Sequence, residues 1–154
     1  MTHTPSSFLY MDDCHVGQTF SGGPLSVTAD DIIAFATQFD PQPFHLDAQA
    51  AKDSAFGELV ASGWHTAAMT MRMLMGSIPP MQGGMIGRRI ETIDWPRPVR
   101  PGDTLTTHSE ILHLRTTSNP ARGLMRLKTD TCNQHGEDVM KMEALIFVPR
   151  RADG

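Results

Sequence analysis

Cysteine is scarce: the 154 residues hold two, Cys14 and Cys132, and neither sits in a CxxC or Cys/His spacing. That argues against a thiolate zinc site or a redox pair, both of which need paired ligands close together. Long hydrophobic runs are missing as well, and no stretch approaches the roughly eighteen apolar residues of a membrane span. Residues 1–13 carry neither a basic start nor an apolar run of signal-peptide length, so a cytoplasmic protein with no membrane partner is expected. Positive charge is also in short supply. A formal net charge of −4 and a pI near 5.9 leave no broad field for gathering nucleic-acid phosphates.

What is present describes a folded globular chain. Hydrophobic residues make up 40%, charged residues 19%, and mean hydropathy is −0.25. A chain of this length buries about two thirds of its unfolded surface around one core. No internal repeat or low-complexity tract interrupts it, and its Gly/Pro clusters are short enough to be turns. Residues 1–154 are therefore read as a single domain with an ordered core of about 15–148. Residues 1–14 and 149–154 read as loose ends whose trimming should cost little. Arginine far outnumbers lysine, and Arg88, Arg89, Arg97 and Arg100 fall close together. They read as solvated strand ends, or as the donors for a small phosphorylated ligand.

Thr28 has the hydroxyl of an N-cap, Asp30 and Asp31 suit the first turn, and Ile32, Phe35, Ala36 and Phe39 form an apolar face. This helix should stop at Asp40, because Pro41 disfavours helical dihedrals in the residue before it. Pro43 repeats that restriction at Gln42, so an extended, stiff segment is expected to deliver Phe44 and His45, with Asp47 capping a short helix through Ala48, Ala50 and Ala51. Residues 63–75 read as a second helix that is apolar almost all round and should be buried, starting at Ser62 or Gly63 and ended by Gly76, Ser77, Pro79 and Pro80. Its methionines read as core packing. From residue 85 the pattern turns to strands, at 85–95, 103–115, 124–132 and 139–148, separated by turn-formers around Gly102, Pro120 with Gly123, and Gly136. A buried helix followed by an antiparallel meander is an α+β order.

The run from Phe39 to Asp47 carries the chemistry. Asp40 and His45 lie five residues apart, and the two prolines between them restrict the link. Phe39 and Phe44 should supply an apolar setting that raises the carboxylate's pKa and favours a neutral imidazole, as proton transfer near neutral pH requires. Spacing alone equally fits a carboxylate that turns the chain and a hydrogen-bonded structural histidine.

With Asp40, Pro43, His45 and Asp47 in this order, and Gln42 where an Asn is usual, the sequence resembles the MaoC-like dehydratases and R-specific enoyl-CoA hydratases. The helix from Thr28, Gly63 at the start of the buried helix, and the run Arg97 to Leu105 leading into a strand agree in order, so the resemblance covers about 17–148. It implies a hot-dog fold, an antiparallel sheet wrapped around a long central helix. It also implies a homodimer or dimer-based higher oligomer with sites near the interface. The implied activity is reversible hydration of an enoyl thioester, with Asp40 and His45 holding the water; CoA or an acyl carrier serves as substrate carrier, with no cofactor or metal.

Attack at C3 drives charge onto the thioester oxygen, and Gly63 N–H at a helix start is the candidate donor. Gln42, Ser62 and Trp64 are placed with Gly63 on the substrate side; Ser62 stands where the family usually has His. His65 reads as a hydrogen-bonded core residue. Two other readings stay open: a hot-dog thioesterase, which would release free CoA without touching the double bond, and a non-catalytic acyl-binding subunit, which would bind without turnover.

Overall fold

The computed structural model describes residues 8–151. Its frame is one five-stranded sheet in the order β1-β3-β4-β5-β2, every neighbouring pair antiparallel. The strands are β1 (Thr19–Ser26), β2 (Ile86–Asp94), β3 (Thr104–Thr116), β4 (Arg122–Cys132) and β5 (Asp138–Pro149). Four α-helices, α1 (Ala29–Phe39), α2 (Pro43–Leu46), α3 (Ala48–Lys52) and α4 (Gly63–Ser77), fill the connection between β1 and β2. The order is the α+β one expected, and it is the hot-dog arrangement, with α4 packed along the inner face of the sheet.

The strand at 19–26 has no counterpart in the sequence reading. Gly22, Gly23 and Pro24 hide it, and its register with β3 shifts between Gly22 and Leu25. The glycine is needed sterically: a methyl group at Gly22 would strike the Met73 carbonyl oxygen on α4 and the Thr107 hydroxyl on β3. Close approach of α4 to the edge strand therefore selects a residue that obscures the strand pattern.

Helix α1 begins as expected, with Asp31 N–H donating to Thr28 Oγ1 at 3.1 Å, and it buries Ile32 and Ala36 fully. Phe39 does not join them. It is 65% exposed at the last residue of α1, with its ring against Phe35. The expected extended linker is also shorter than proposed: Gln42 is extended, but Pro43 opens α2. Proline suits a first helical position, because its fixed φ fits and the N–H it lacks would have had no partner. Asp47 then caps α3 through Gln49 N–H at 2.9 Å.

Around α4, ten apolar residues including Ile32, Met69, Met73 and Leu105 form one core cluster, and nine including Leu74, Ile111, Leu127 and Ile146 form another. The expectation that α4 is enclosed on all sides fails for one stripe: Trp64, Met71 and Met75 are exposed. Polar pairs sit beneath the helix, Thr70 with Thr131 at 2.7 Å and Ser109 with Thr129 at 3.0 Å.

The ends are less loose than the sequence suggests. Leu9, Met11 and Cys14 pack on the second cluster, while Asp12 and Asp13 pair with Arg150 and Arg151 from the other end. Polar composition concealed this because the contacts join residues nearly the whole chain apart. Residues 1–7 and 152–154 lie outside the described part. Among the described residues no helix is long and apolar enough to cross a membrane.

Candidate active site

The end of α1 and the start of α4 meet at Asp40. Its own N–H closes α1 on the Ala36 carbonyl at 2.9 Å, which leaves the carboxylate directed away from the helix. Gln42 Nε2 donates to Oδ1 at 2.7 Å, and Ser62 Oγ donates to Oδ2 at 2.6 Å. His45 stands on α2 with Nε2 3.5 Å from the same Oδ2, and is itself 5% exposed. Its other ring nitrogen, Nδ1, lies 2.6 Å from the Val60 carbonyl oxygen. A carbonyl only accepts, so the Nδ1 proton is fixed and a neutral His45 has its lone pair on Nε2, facing Asp40.

The carboxylate's setting is the reverse of the one expected. Hydrogen bonds from Ser62 first and Gln42 second, with the nearby His45 adding to them, hold Asp40 below the ordinary carboxylate value. Burial pushes the other way and loses. Phe39, expected to line an apolar cage, points to solvent; Phe44 does pack against the His45 ring, edge-on at 4.5 Å. Two neutral donors outweigh one aromatic neighbour.

Gly63 opens α4, and among the described residues its N–H donates to no protein acceptor. Trp95 lies against its Cα: a methyl group there would sit 2.7 Å from the indole Cε2, and Nε1 donates to the Gly63 carbonyl at 3.0 Å. The Trp64 ring meets Trp95 edge-on at 5.5 Å. These groups open onto a cleft of about 370 Å³ whose walls also include Phe44, Phe56, Val60 and Arg97, a size at the small end of ligand sites. A larger depression of about 850 Å³, between β1 and α4, has His65 and Arg72 in its lining but neither Asp40 nor His45. The smaller cleft holds the acid and the imidazole, and chemistry rather than size marks it.

Of the residues singled out in the sequence, Asp40, His45, Gly63, Gln42, Ser62 and Trp64 all converge here. Two take other parts than expected. Ser62 is fully buried and its hydroxyl is spent on Asp40, and the Gln42 amide is likewise turned onto Asp40. His65 is buried but not hydrogen-bonded as expected: it stacks on Phe35, and its Nδ1 finds no partner among the described residues. Trp95 and the Val60 carbonyl were missed. Trp95 directly precedes the recognised run from Arg97, a faint signal, whereas a backbone carbonyl leaves none.

Arg97 lines the cleft and pairs with Glu137 at 3.3 Å, and Arg100 pairs with Glu58; Arg89 reaches Glu91 at 3.7 Å and Arg88 lies over the Phe147 ring, toward the opposite end of β2 from Trp95. Among the described residues no group of three or more His, Cys, Asp or Glu is gathered to hold a metal. Neither cysteine offers a thiolate: burial, helped by Asp138, pushes Cys132 up to about 11, and burial raises Cys14 too.

A hot-dog domain that brings a carboxylate and an imidazole together at the start of its central helix defines the class of protein by fold and site. Within that class the chain belongs to the MaoC like domain family, whose model matches residues 14–131. It is similar to the 3-hydroxybutyryl-CoA dehydratase of Methylorubrum extorquens, 30% identical over 146 residues, covering 94% of this chain and 87% of that one. A MaoC-like dehydratase structure from Rhodospirillum rubrum is 45% identical, with a TM-score of 0.88 and coverage of 94% and 99%. An R-hydratase structure from Pseudomonas aeruginosa is 29% identical, with a TM-score of 0.74 and coverage of 92% and 86%.

Proposed function

We propose that this protein is a hydro-lyase that adds water reversibly across the double bond of an enoyl-CoA, giving the (R)-3-hydroxyacyl-CoA. The observation that carries the reading is the pair of acceptors, Asp40 Oδ2 and His45 Nε2, 3.5 Å apart at the cleft. Neither can donate to the other while His45 is neutral with its proton on Nδ1. A water bridging the two from the cleft side gives one hydrogen to each, and its oxygen lone pairs are left free to attack.

In the proposed step the water oxygen bonds to C3, and the C2–C3 electron pair shifts to leave negative charge on the thioester oxygen. Gly63 N–H, at the positive end of α4, receives that charge. His45 Nε2 takes the water proton, and the imidazolium rests against the ionised Asp40. Collapse of the enolate returns that proton to C2, so H and OH of one water end on C2 and C3. The depressed pKa of Asp40 supports a carboxylate that stays charged throughout, leaving the imidazole as proton carrier. The balance closes with water and these side chains alone. The R configuration and the CoA carrier rest on the relatives' names, and Arg88, Arg89, Arg97 and Arg100 are the candidates for the carrier's phosphates.

We further propose a homodimer joined through the free edges of β2. That strand is exposed over its first five residues, Ile86 and Ile90 are 58% and 51% exposed, and the uncovered α4 stripe adds apolar surface. A free, apolar strand edge seeks a partner.

The test is loss of enoyl absorbance with crotonyl-CoA and a longer enoyl-CoA, with free thiol assayed in parallel. Wild type should consume the double bond without releasing thiol. Asp40→Asn and His45→Ala should each lose at least about a hundredfold in kcat. Near-normal rates in both variants would sink the mechanism, and thiol release without hydration would replace it with thioester hydrolysis.

A further inference from the structure

Asp40 and Ser62 are 22 residues apart in sequence, yet the Ser62 hydroxyl donates to Asp40 Oδ2 at 2.6 Å from a position with no exposed surface. Ser62 Oγ also accepts the Trp64 N–H at 3.2 Å, capping α4, and the Ser62 carbonyl accepts the Thr66 N–H at 3.0 Å. Ser62 thus belongs to the first turn of α4 as firmly as to the carboxylate, and Gly63 is its immediate neighbour. We propose that Ser62 is a positioning residue: its hydroxyl ties the Asp40 carboxylate to the start of α4 and thereby fixes the spacing between the attacking water and the Gly63 N–H.

A hydroxyl is suited to this double bond. Its one proton goes to Asp40, and its lone pairs remain for the Trp64 N–H, so donor and acceptor roles are filled at once. Gln42 holds the other carboxylate oxygen at 2.7 Å. With both oxygens engaged, rotation of the carboxylate about its last bond is stopped, and Oδ2 keeps a lone pair turned toward His45 Nε2. Remove Ser62 and a single amide from a neighbouring loop residue remains. The carboxylate can then swing out of line with the imidazole, and a misplacement of about 1 Å is enough to cost roughly a hundredfold in rate. Among titratable and charged groups, His45 faces Asp40 from α2, and Arg97 lines the same cleft but is paired with Glu137 at 3.3 Å. The depressed pKa of Asp40, whose largest cause is the Ser62 bond, is consistent with the tie.

This inference rests on the hydratase reading, and the experiment separates the two. Ser62→Ala and Ser62→Gly both lack the hydroxyl, but glycine is the better helix N-cap of the two, so a defect common to both reports the tie to Asp40 rather than the cap. Both variants are expected to lose about ten- to a hundredfold in kcat with crotonyl-CoA, with KM moved much less, and Ser62→Thr is expected to recover most of the loss. In substrate-free protein, the Asp40 carboxyl carbon followed by NMR should titrate higher in the alanine and glycine variants than in wild type, and remain low with threonine. Folded alanine and glycine variants with wild-type kcat, or with an unmoved Asp40 titration, would overturn the proposal. Absence of turnover by wild type would strike the hydratase reading instead, and the titration would still decide whether the tie exists.

Discussion

Gly63→Ala probes the start of α4 directly. The backbone tolerates alanine there, and α4 itself would favour it, so any damage comes from contact with Trp95. The added methyl would lie 2.7, 3.0 and 3.1 Å from three indole carbons, where carbon contacts settle at about 3.5–4.0 Å. Relief requires the indole or the helix start to move by roughly 0.5–1 Å. Such overpacking costs about 1–3 kcal/mol, of which the helix preference for alanine over glycine returns up to about 1 kcal/mol.

The Trp95 Nε1 bond to the Gly63 carbonyl would be strained in the process, and the Gly63 N–H displaced from the oxyanion it is proposed to meet. A shift of that size predicts a kcat about ten- to a hundredfold lower in crotonyl-CoA hydration, with Tm down by a few degrees. The double variant Gly63→Ala with Trp95→Ala removes the collision, and should recover part of the helix geometry and therefore exceed the single variant in kcat. Wild-type turnover by Gly63→Ala, or a double variant no faster than the single one, would refute the placement of the donor at Gly63.

Other expectations follow from the same geometry. Ile90→Lys on the free edge of β2 should convert the proposed dimer to monomer in sedimentation, without unfolding the chain, since Ile90 is 51% exposed. Met11→Ala should lower stability by about 1–2 kcal/mol in urea denaturation, because Met11 packs on the second core cluster with its sulfur against Gly123. The folded-state pKa of Asp40 lies below the ordinary carboxylate value, so its contribution to stability is present above that value and is lost as pH falls through the folded pKa. Asp40→Asn should accordingly flatten the fall in Tm on the acid side, and an unchanged acid profile would contradict the hydrogen-bonded carboxylate.

Local chemistry explains what could be read in advance. Thr28, Asp47 and Ser62 cap helices through side chains acting within a few residues, and Pro41 stops α1 by a clash with its neighbour. The later strands alternate visibly because one face is buried, as Met125, Leu127 and Thr129 are. The acid and imidazole were legible through the motif of Asp40, Pro43, His45 and Asp47, since spacing alone fitted a structural pair as well. By contrast, β1 was hidden by Gly22, a residue selected by a helix some fifty residues further along the chain.

The sequence by itself determined most of the elements, with β1 and α2 the exceptions, together with the order α-then-meander and, through a motif, the pairing of Asp40 with His45, since each follows from interactions spanning a few residues or from that motif. Only the tertiary structure decided the electrostatic state of that pair. Ser62 arrives 22 residues later to donate to Asp40, the Val60 carbonyl 15 residues later to fix the His45 proton, and Trp95 32 residues after Gly63 to cover it. A carboxylate beside two phenylalanines reads as apolar in one dimension. In three dimensions one ring turns to solvent and two donors close on the oxygens, and hydrogen bonds to the charged form then outweigh burial.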